Sequence, residues 1–427
     1  MRAQRSSIVL GVIADDFTGA TDVASMLVRA GMRTLQLIGV PGEGDALPEA
    51  DAVVIALKSR TTPAAEAVAE SLAALRWLQA AGARQFYFKY CSTFDSTAAG
   101  NIGPVTEALM AALGTDFAIA CPAFPENGRT VFRGHLFVAD LLLSDSAMRD
   151  HPLTPMRDAN LVRVLQQQAP QSRVGLLRYD SIARGVGATR ERIAVLRGEG
   201  VRLAVADAIS NEDLRVLAQA CDDLPLITAG SGVALGLPEV YAARGWLQPD
   251  AGAAVLPAVG GAAAVLSGSC SAATNAQVCH WLGDGRPGFQ IDALALAAGE
   301  AQADQALAWA TRQPDPVLIY ATAEPADVKA VQEALGVARA GQLVEHCLAQ
   351  IAQGLVERGG VRRLVVAGGE TSGAVVQALG VRSLRIGATI DPGVPWTQAE
   401  GRALLLALKS GNFGSVDFFA KALGMVS

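Results

Sequence analysis

The chain predicts an α/β protein of two domains, each built on a largely parallel sheet flanked by helices. Three observations carry that expectation. Short apolar runs alternate with helical patterns along most of the chain, as βαβ units require. The 427 residues are enough for two or three separate cores. Residues 248–262, with Pro249, Pro257 and several Gly and Ala, read as a linker. The expected layout is a first domain over 1–247, the linker over 248–262, and a second domain over 263–427.

The first element is a strand from Ile8 to Ile13, followed by Val23, Met26, Leu27 and Ala30 at helical spacing up to a Gly31 stop. Between them lies Ala14-Asp15-Asp16-Phe17-Thr18-Gly19-Ala20-Thr21-Asp22. That loop leaves a strand's carboxyl end, where open α/β sheets bind ligands. A single Asp or Thr before a helix is an ordinary N-cap, and Thr18 or Asp22 needs no other account. Two consecutive acids do, because one can cap while the other places uncompensated charge beside a buried strand end. Asp15 and Asp16 are therefore candidates for proton abstraction or magnesium binding.

Buried strands are expected at Thr34 to Ile38, Ala52 to Leu57, Phe86 to Tyr90 and Phe117 to Cys121, with helices at Ala64 to Ala81 and Pro104 to Leu113. The loops that follow these strands converge on one edge of a parallel sheet, and they are polar. They are Lys58-Ser59-Arg60-Thr61-Thr62, Lys89 to Thr97 with Asp95 and Ser96, and Asn127-Gly128-Arg129-Thr130. Each loop has a structural account: Ser, Thr and Asp cap helices, and Asn-Gly signals a hairpin turn. Together they set Lys58, Arg60, Lys89 and Arg129 against Asp15, Asp16 and Asp95, a site suited to a small hydroxylated carboxylate. His135, in Gly134-His135-Leu136 after an expected hairpin, is the only histidine beside such a cluster. Lone histidines are more often structural, so it is a lesser substrate contact. His151, His280 and His346 receive no role.

The α/β pattern continues with helices at Asn160 to Gln168, Ala188 to Glu199 and Asn211 to Ala220, and strands at Leu203 to Ala206 and Leu226 to Thr228. Ala229-Gly230-Ser231-Gly232 then reads as a corner that packs a helix tightly on a strand. In the second domain, Ala263 to Leu266 feeds Ser267-Gly268-Ser269-Cys270-Ser271 and a helix from Ala272 to Leu282. Leu364 to Ala367 feeds Gly368-Gly369-Glu370-Thr371-Ser372-Gly373 and a helix through Leu379. Two such corners in one sheet present backbone N–H groups and hydroxyls at helix N-termini, and phosphate is the ligand they favour. Leu404 to Leu408 runs into Lys409-Ser410-Gly411-Asn412-Phe413-Gly414, whose glycines let backbone approach a ligand.

Composition narrows the classes of function. The net charge is −6 and no basic tract interrupts the chain, so neither nucleic acid nor an anionic membrane is an expected partner. The six cysteines are dispersed without a CxxC pair, against a zinc or redox motif. Residues 251–283 carry no Lys, Arg, Asp or Glu, but Gly, Ser, Asn, Thr and Pro break the stretch well short of the roughly 20 apolar residues of a spanning helix. Met1 to Ser7 meets a strand, not a signal-peptide core, so a cytoplasmic location is expected. There is no GxxxxGK(S/T), no GxGxxG and no protein-kinase motif set, which disfavours Walker-type NTPases, dinucleotide enzymes and protein kinases.

Taken in order, Ile13-Ala-Asp-Asp-Phe-Thr-Gly-Ala-Thr-Asp22, Lys89 to Thr97, Asn127-Gly-Arg-Thr130, Leu266-Ser-Gly-Ser-Cys-Ser271, Gly368-Gly-Glu-Thr-Ser372 and Lys409-Ser-Gly-Asn-Phe-Gly414 resemble the four-carbon acid sugar kinases across nearly the whole chain. Within that family, Lys-Tyr-Cys-Ser-Thr-Phe-Asp-Ser-Thr looks closest to the 3-oxo-tetronate kinases. Threonate and erythronate kinases usually carry a Lys-x-Asp-Ser-Thr-Leu-Arg-Gly type of loop. The resemblance implies an N-terminal substrate domain, a C-terminal ATP domain, and transfer of the γ-phosphoryl group to the 4-hydroxyl of a C4 sugar acid. It implies ATP contacts at Ser267, Gly368, Gly369, Glu370, Thr371 and Gly411, extended to Gly268, Ser269 and Asn412.

Phosphoryl transfer asks for in-line positioning, charge neutralisation, usually by Mg2+, and a group that orients or accepts the attacking hydroxyl's proton. Asp16 is the first choice for that group and Asp15 the second, with Asp95 next. Arg60, Lys89 and Arg129, with Lys58 and with Ser59, Asp95 and Ser96 of the same loops, would bind the substrate. The metal ligands stay open. The expected partners are a sugar acid and ATP, with a homodimer as the one assembly considered. Closure across the linker would exclude water from the reaction. D-threonate or D-erythronate kinase is the nearest alternative. A non-catalytic sugar-acid-binding protein and an NAD-dependent oxidoreductase are more distant ones.

Overall fold

The computed structural model describes residues 8–42, 49–151, 153–314 and 316–426; Met1 to Ser7 lie outside the described residues. The chain forms two compact units, Met1–Ala254 and Val255–Ser427.

In the first unit the strands are β1 (Leu10–Ala14), β2 (Thr34–Ile38), β3 (Ala52–Ala56), β4 (Gln85–Lys89), β5 (Ala118–Cys121), β6 (Arg129–Phe132), β7 (His135–Val138), β8 (Leu141–Leu142), β9 (Arg173–Leu177), β10 (Val201–Ala206) and β11 (Leu226–Ala229). The helices are α1 (Phe17–Arg29), α2 (Ala64–Ala80), α3 (Ile102–Leu113), α4 (Leu161–Gln168), α5 (Tyr179–Ile182), α6 (Val186–Gly198), α7 (Asn211–Ala220) and α8 (Leu237–Ala243). The main sheet runs β2-β3-β1-β4-β11-β5-β10-β9, every pair parallel. β1, β3 and β4 are buried along their whole length, because helices cover both faces of such a sheet and only apolar runs survive there. Leaving β1, the chain fills one side of it with β2 and β3 and the other with β4 onward, so a switch in strand order falls at β1. Such a switch opens a crevice at the strands' carboxyl ends.

The second unit contains β12 (Ala262–Ser267), α9 (Ala272–Gly283), β13 (Gly288–Gln290), α10 (Ala293–Ala297), α11 (Gln302–Ala310), β14 (Val317–Tyr320), α12 (Pro325–Leu335), α13 (Val337–Glu357), β15 (Val361–Ala367), α14 (Gly369–Ala378), β16 (Ser383–Asp391), β17 (Val394–Ala399), β18 (Leu405–Lys409) and α15 (Phe418–Gly424). Its strands run β13-β14-β12-β15-β18-β17-β16. From β13 to β18 in that order the neighbours are parallel, and β17 and β16 turn antiparallel at the end. Val265, Val365, Trp281, Trp396 and Phe418 meet in its core.

The expected α/β architecture therefore holds in both units. Three local readings differ. The N-cap of α1 is Asp16, not Thr18 or Asp22: its backbone is extended and its carboxylate accepts the Gly19 N–H. The tight hairpin sits at Arg133-Gly134, both at positive φ (49° and 74°), between β6 and β7. Asn127-Gly128 instead closes a 3-10 turn over Pro125–Asn127. β9, whose Arg-Val-Gly-Leu-Leu has no clear alternation, is absent from the expected elements, as are β13, β14, the helices α10 to α13 and the antiparallel pair β16 and β17. Val201 of β10 packs within 2.9 Å of where a Cβ on Gly175 would stand, so the glycine marks a close approach. Among the described residues no helix is long and apolar enough to cross a membrane.

Candidate active site

Ala56, Ala14, Lys89 and Ala229 stand level across β3, β1, β4 and β11. The loops beyond this row gather around Arg60. Asp15 accepts two hydrogen bonds from it, from Nε at 2.9 Å and Nη2 at 2.8 Å, in the planar two-point geometry that guanidinium and carboxylate share. Asp16 Oδ1 takes a third at 2.6 Å. Asp95 stands 3.6 Å from Nη1. The loop is held from below as well: the Asp15 carbonyl accepts the backbone N–H groups of Ser59 and Arg60, and the Asp15 N–H donates to the Lys89 carbonyl. Asp15 and Asp16 thus share one cation, so their side chains do not diverge as strand alternation would have them.

Environment separates the two acids. The Asp15 side chain is 7% exposed and that of Asp16 is 26%. Burial pushes the Asp15 carboxyl above the ordinary Asp value against the pull of Arg60. Burial works the same way on Asp16, but Arg60 and Lys89, with the Thr18 hydroxyl and the Gly19 N–H, hold it below that value. Asp16 is the more reachable carboxylate of the pair and the one held below the ordinary Asp value. Arg60 keeps its charge despite burial because both acids face it. Lys89 is 2% exposed and donates to the Tyr90 carbonyl at 2.8 Å. A Cβ at Gly19 would reach both Lys89 Nζ and the Asp16 carboxylate, so only glycine leaves them room.

Two further groups belong to this region. Asp22, on the buried side of α1, accepts the Ser231 hydroxyl at 2.5 Å through Oδ2, while its buried Oδ1 has no partner among the described residues. Burial pushes its carboxyl above the ordinary Asp value, with Lys89, Asp16 and Arg129 as its charged neighbours. Arg129 donates Nη1 to the Asn127 carbonyl and leaves a buried Nε unpartnered among the described residues. Read as a cap, Asp22 has no place in the sequence-level site. Its place as a third acid of the same motif, six residues past Asp16, is the signal that could have included it.

The remaining sequence candidates divide. The Ser59 carbonyl accepts from Asn101 and Thr62, and its residue is buried. Ser96 accepts the Gln168 side-chain amide at 2.9 Å, a bond that ties the loop to α4. Asp95, at φ 44°, accepts the Thr93 hydroxyl at 2.6 Å besides facing Arg60. Lys58 is exposed. His135 contacts the Arg133 carbonyl and the Asn160 amide on the small β6-β7-β8 sheet, and no carboxylate of the Arg60 cluster. The corner at residues 229–232 packs as expected: a Cβ at Gly230 would meet the Pro122 carbonyl at 2.7 Å.

In the second unit Ser267, Ala367 and Lys409 end β12, β15 and β18 level with one another. The Gly268 and Ser269 N–H groups donate to the Ala367 carbonyl, and the Gly368 N–H to that of Lys409. Ser267 shares a 2.6 Å hydrogen bond with Thr322, which donates to the Ser269 carbonyl at 2.8 Å. Ser271 caps α9 by accepting the Thr274 N–H. Gly368 lies at φ 127°, a conformation that favours glycine, and a Cβ there would come within 2.9 Å of Thr371 Oγ1. A Cβ at Gly268 would strike that same hydroxyl, and one at Gly411 the Ser269 hydroxyl. α14 starts at Gly369, followed by Glu370 and Thr371. Three glycine-lined corners side by side, two of them opening helices, form a cradle that fits the phosphates of a nucleotide.

A cluster of cations and acids for a small polar molecule, joined on one chain to a phosphate cradle, defines a sugar kinase architecture. Two family profiles match accordingly: a sugar-binding N-terminal domain over residues 10–237 and a nucleotide-binding C-terminal domain over 264–419. A 3-oxo-tetronate kinase of Cupriavidus necator is 66% identical over 418 residues, covering 97% of this chain and 96% of that one. One from Pseudomonas fluorescens is 67% identical over 421 residues, 98% and 97% of the two chains. Among solved structures, a Salmonella typhimurium LT2 protein described as a tRNA synthase matches with TM-score 0.87 at 46% identity, over 97% and 98% of the chains. A Haemophilus influenzae protein matches with TM-score 0.79 at 45% identity, over 98% and 100%. The chain belongs to the four-carbon acid sugar kinase family and is a carbohydrate kinase.

Proposed function

We propose that this kinase transfers the γ-phosphoryl group of ATP to the 4-hydroxyl of 3-oxo-tetronate, in the catabolism of carbohydrate acids in the cytoplasm. The observation that carries the substrate assignment is the 66% and 67% identity, over almost the whole chain, to proteins of that activity. D-threonate and D-erythronate are the competing substrates, and the Lys89 to Thr97 loop departs from the pattern of kinases that use them. On this reading the unit ending at Ala254 is the sugar-acid domain and the unit from Val255 the ATP domain.

In the first unit, Asp16 orients the 4-hydroxyl and receives its proton as the O–P bond forms and the bond to ADP breaks. Held below the ordinary Asp value by Arg60 and Lys89, it stays an anion at neutral pH, ready to accept. Arg60 holds Asp16 and Asp15 in place, while Lys89 and Arg129 offer positive charge to the substrate carboxylate. Ser59, Ser96 and Asp95 support the loops that carry these groups. Lys58 and His135 are outer contacts of the acid. In the second unit, Ser267, Gly268, Ser269, Gly368, Gly369, Glu370, Thr371, Gly411 and Asn412 surround ATP. Magnesium would supply charge neutralisation at the transferring phosphoryl group, a role that asks for only one or two protein carboxylates and no dedicated protein cage. A homodimer is the proposed assembly.

The direct test is ADP release from ATP and magnesium with a panel of C4 sugar acids. Turnover is expected with 3-oxo-tetronate at a higher kcat/KM than with D-threonate or D-erythronate; the reverse order would reassign the substrate. In a thermal-shift panel, ATP at one hundred times its Kd should stabilise the protein by about 2.7 kcal/mol. NAD(P) stabilisation in its place would point to an oxidoreductase.

The phosphate cradle yields its own prediction. Gly369 is the first residue of α14, and a helix N-terminus favours an anion through its backbone dipoles. Gly369→Val puts a branched side chain at that approach, and the KM for ATP should rise at least tenfold while the circular dichroism stays wild-type. An unchanged ATP KM in the folded variant would remove this corner from the nucleotide site.

A further inference from the structure

Lys409 ends β18 with a side chain that is 0% exposed. Its Nζ donates to Thr274 Oγ1 at 3.0 Å, to the Ser410 carbonyl at 3.1 Å and to the Gly411 carbonyl at 3.0 Å. Three acceptors match the three protons of an ammonium group, and none of them is a carboxylate. The Gly411 carbonyl is a hub, accepting the Ser271 hydroxyl at 2.7 Å and the Thr274 hydroxyl at 2.8 Å as well.

Peptide planarity ties these bonds to the direction of the loop's N–H groups. In a trans peptide the N–H points opposite to the C=O of the same unit. Drawing the Ser410 and Gly411 carbonyls onto Lys409 therefore directs the N–H groups of Gly411 and Asn412 away from it. Among the described residues neither of those N–H groups donates to another backbone carbonyl. Two successive outward N–H groups beside the Gly268 and Gly368 corners form an anion-binding concavity of the nest type.

The charge on Lys409 is unmatched by its surroundings. β17 carries no ionisable group. β15 has Arg362 and Arg363 at its other end, Arg363 level with Leu405. α9 has Cys279 and His280 beyond Thr274, and α14 has Glu370 in its first turn. None of these moves the ionisation of Lys409; burial alone does, bringing it down to about 7.

We propose that Lys409 is a positioning residue of the nucleotide site, its ammonium turning the Gly411 and Asn412 N–H groups toward the phosphates and drawing its own countercharge from the bound nucleotide. This rests on the nucleotide reading of the second unit. The consequence is a linkage. Burial without a facing carboxylate draws the Lys409 ammonium down toward about 7 in the free site, and an arriving polyanion favours its charged form. Nucleotide binding then takes up a proton at Lys409 Nζ from solvent. The sign follows: affinity is full below the free-site value and weakens as pH rises through it, by at most tenfold per pH unit for one proton.

The test is calorimetric titration of the full-length protein with ADP at about pH 8, in two buffers of different ionisation enthalpy. Phosphate second ionisations near 6 leave the nucleotide fully charged there, so it takes up no proton itself. Uptake of about half a proton or more per site is expected, with Kd rising several-fold between about pH 7 and 8.5. Lys409→Arg, charged at every accessible pH, should bind ADP without the buffer-dependent heat. Lys409→Met, checked for fold by circular dichroism, should lose at least tenfold in affinity. Wild-type binding with no proton uptake and a pH-independent Kd would overturn the role of Lys409 whether or not the variants fold. Absence of any binding heat would instead remove the nucleotide assignment beneath it.

Discussion

Asp16→Asn should lower kcat by about a hundredfold, the lower end of the 10² to 10⁴ range of general-base contributions, because a loose phosphoryl-transfer transition state draws less on its base. The fold should survive. Asn caps helices as well as Asp, its oxygen can keep the Gly19 and Arg60 bonds, and the Thr18 hydroxyl can accept where it now donates. ATP binding should be untouched. Because Asp16 is held below the ordinary Asp value, its ionisation should leave no acid limb in the wild-type kcat profile between about pH 5 and 7. Asp15→Asn is a different experiment. Both Asp15 oxygens receive Arg60 N–H groups, and an amide would set a donor against a donor. That variant should lose thermal stability before it loses chemistry. If Asp15→Asn abolishes turnover at wild-type Tm while Asp16→Asn keeps near-normal kcat, the two roles are exchanged. If both turn over normally, Asp95 is the next group to test.

Arg60→Met should be among the most destabilising single changes in the first unit. It leaves Asp15, Asp16 and Asp95 together without the cation they share, and breaking a buried pair from one side costs about 3–5 kcal/mol. The deficit should depend on pH in a defined direction. Burial already lifts the Asp15 carboxyl against the pull of Arg60, so without Arg60 its folded-state pKa rises further above the unfolded value near 3.9, and the folded variant gains a proton, and stability relative to wild type, as pH falls. Urea denaturation at about pH 7.5 and 5.5 would show the gap narrowing at the lower pH. A variant as stable as wild type at both would mean that Arg60 serves the substrate and not the fold.

Much of the site is legible in the residues alone. Adjacent acids at a strand end cannot both be caps, and the fold divides them as that argument requires: Asp16 caps α1 and Asp15 is compensated, by Arg60. The glycine corners are equally readable, since Gly368 needs a positive φ and Gly268 and Gly411 leave no room for a Cβ. A residue that only shares a loop with these groups, or only follows one along the chain, fares differently. Ser96 is engaged by Gln168, 72 residues away, and His135 by Asn160, and nothing in their own segments announces either partner.

What the sequence by itself determined is most of the local elements of the first unit and the three strand-end corners of the second: apolar runs short enough for buried strands, helical periods between them, polar or glycine-rich turns at the strand ends, and hence largely parallel sheets with ligands at one edge. Those properties depend on neighbours a few residues apart. The tertiary structure decided which strand lies beside which, and with it that Arg60 would serve three acids, that Asp22 would meet Ser231 across 209 residues, and that Lys409 would be buried among hydroxyls and carbonyls with no carboxylate. Such pairings come from the packing of crossover helices and sheet faces, in which every strand is an apolar run much like the next, and the charge on a side chain acquires its meaning only from what that packing brings beside it.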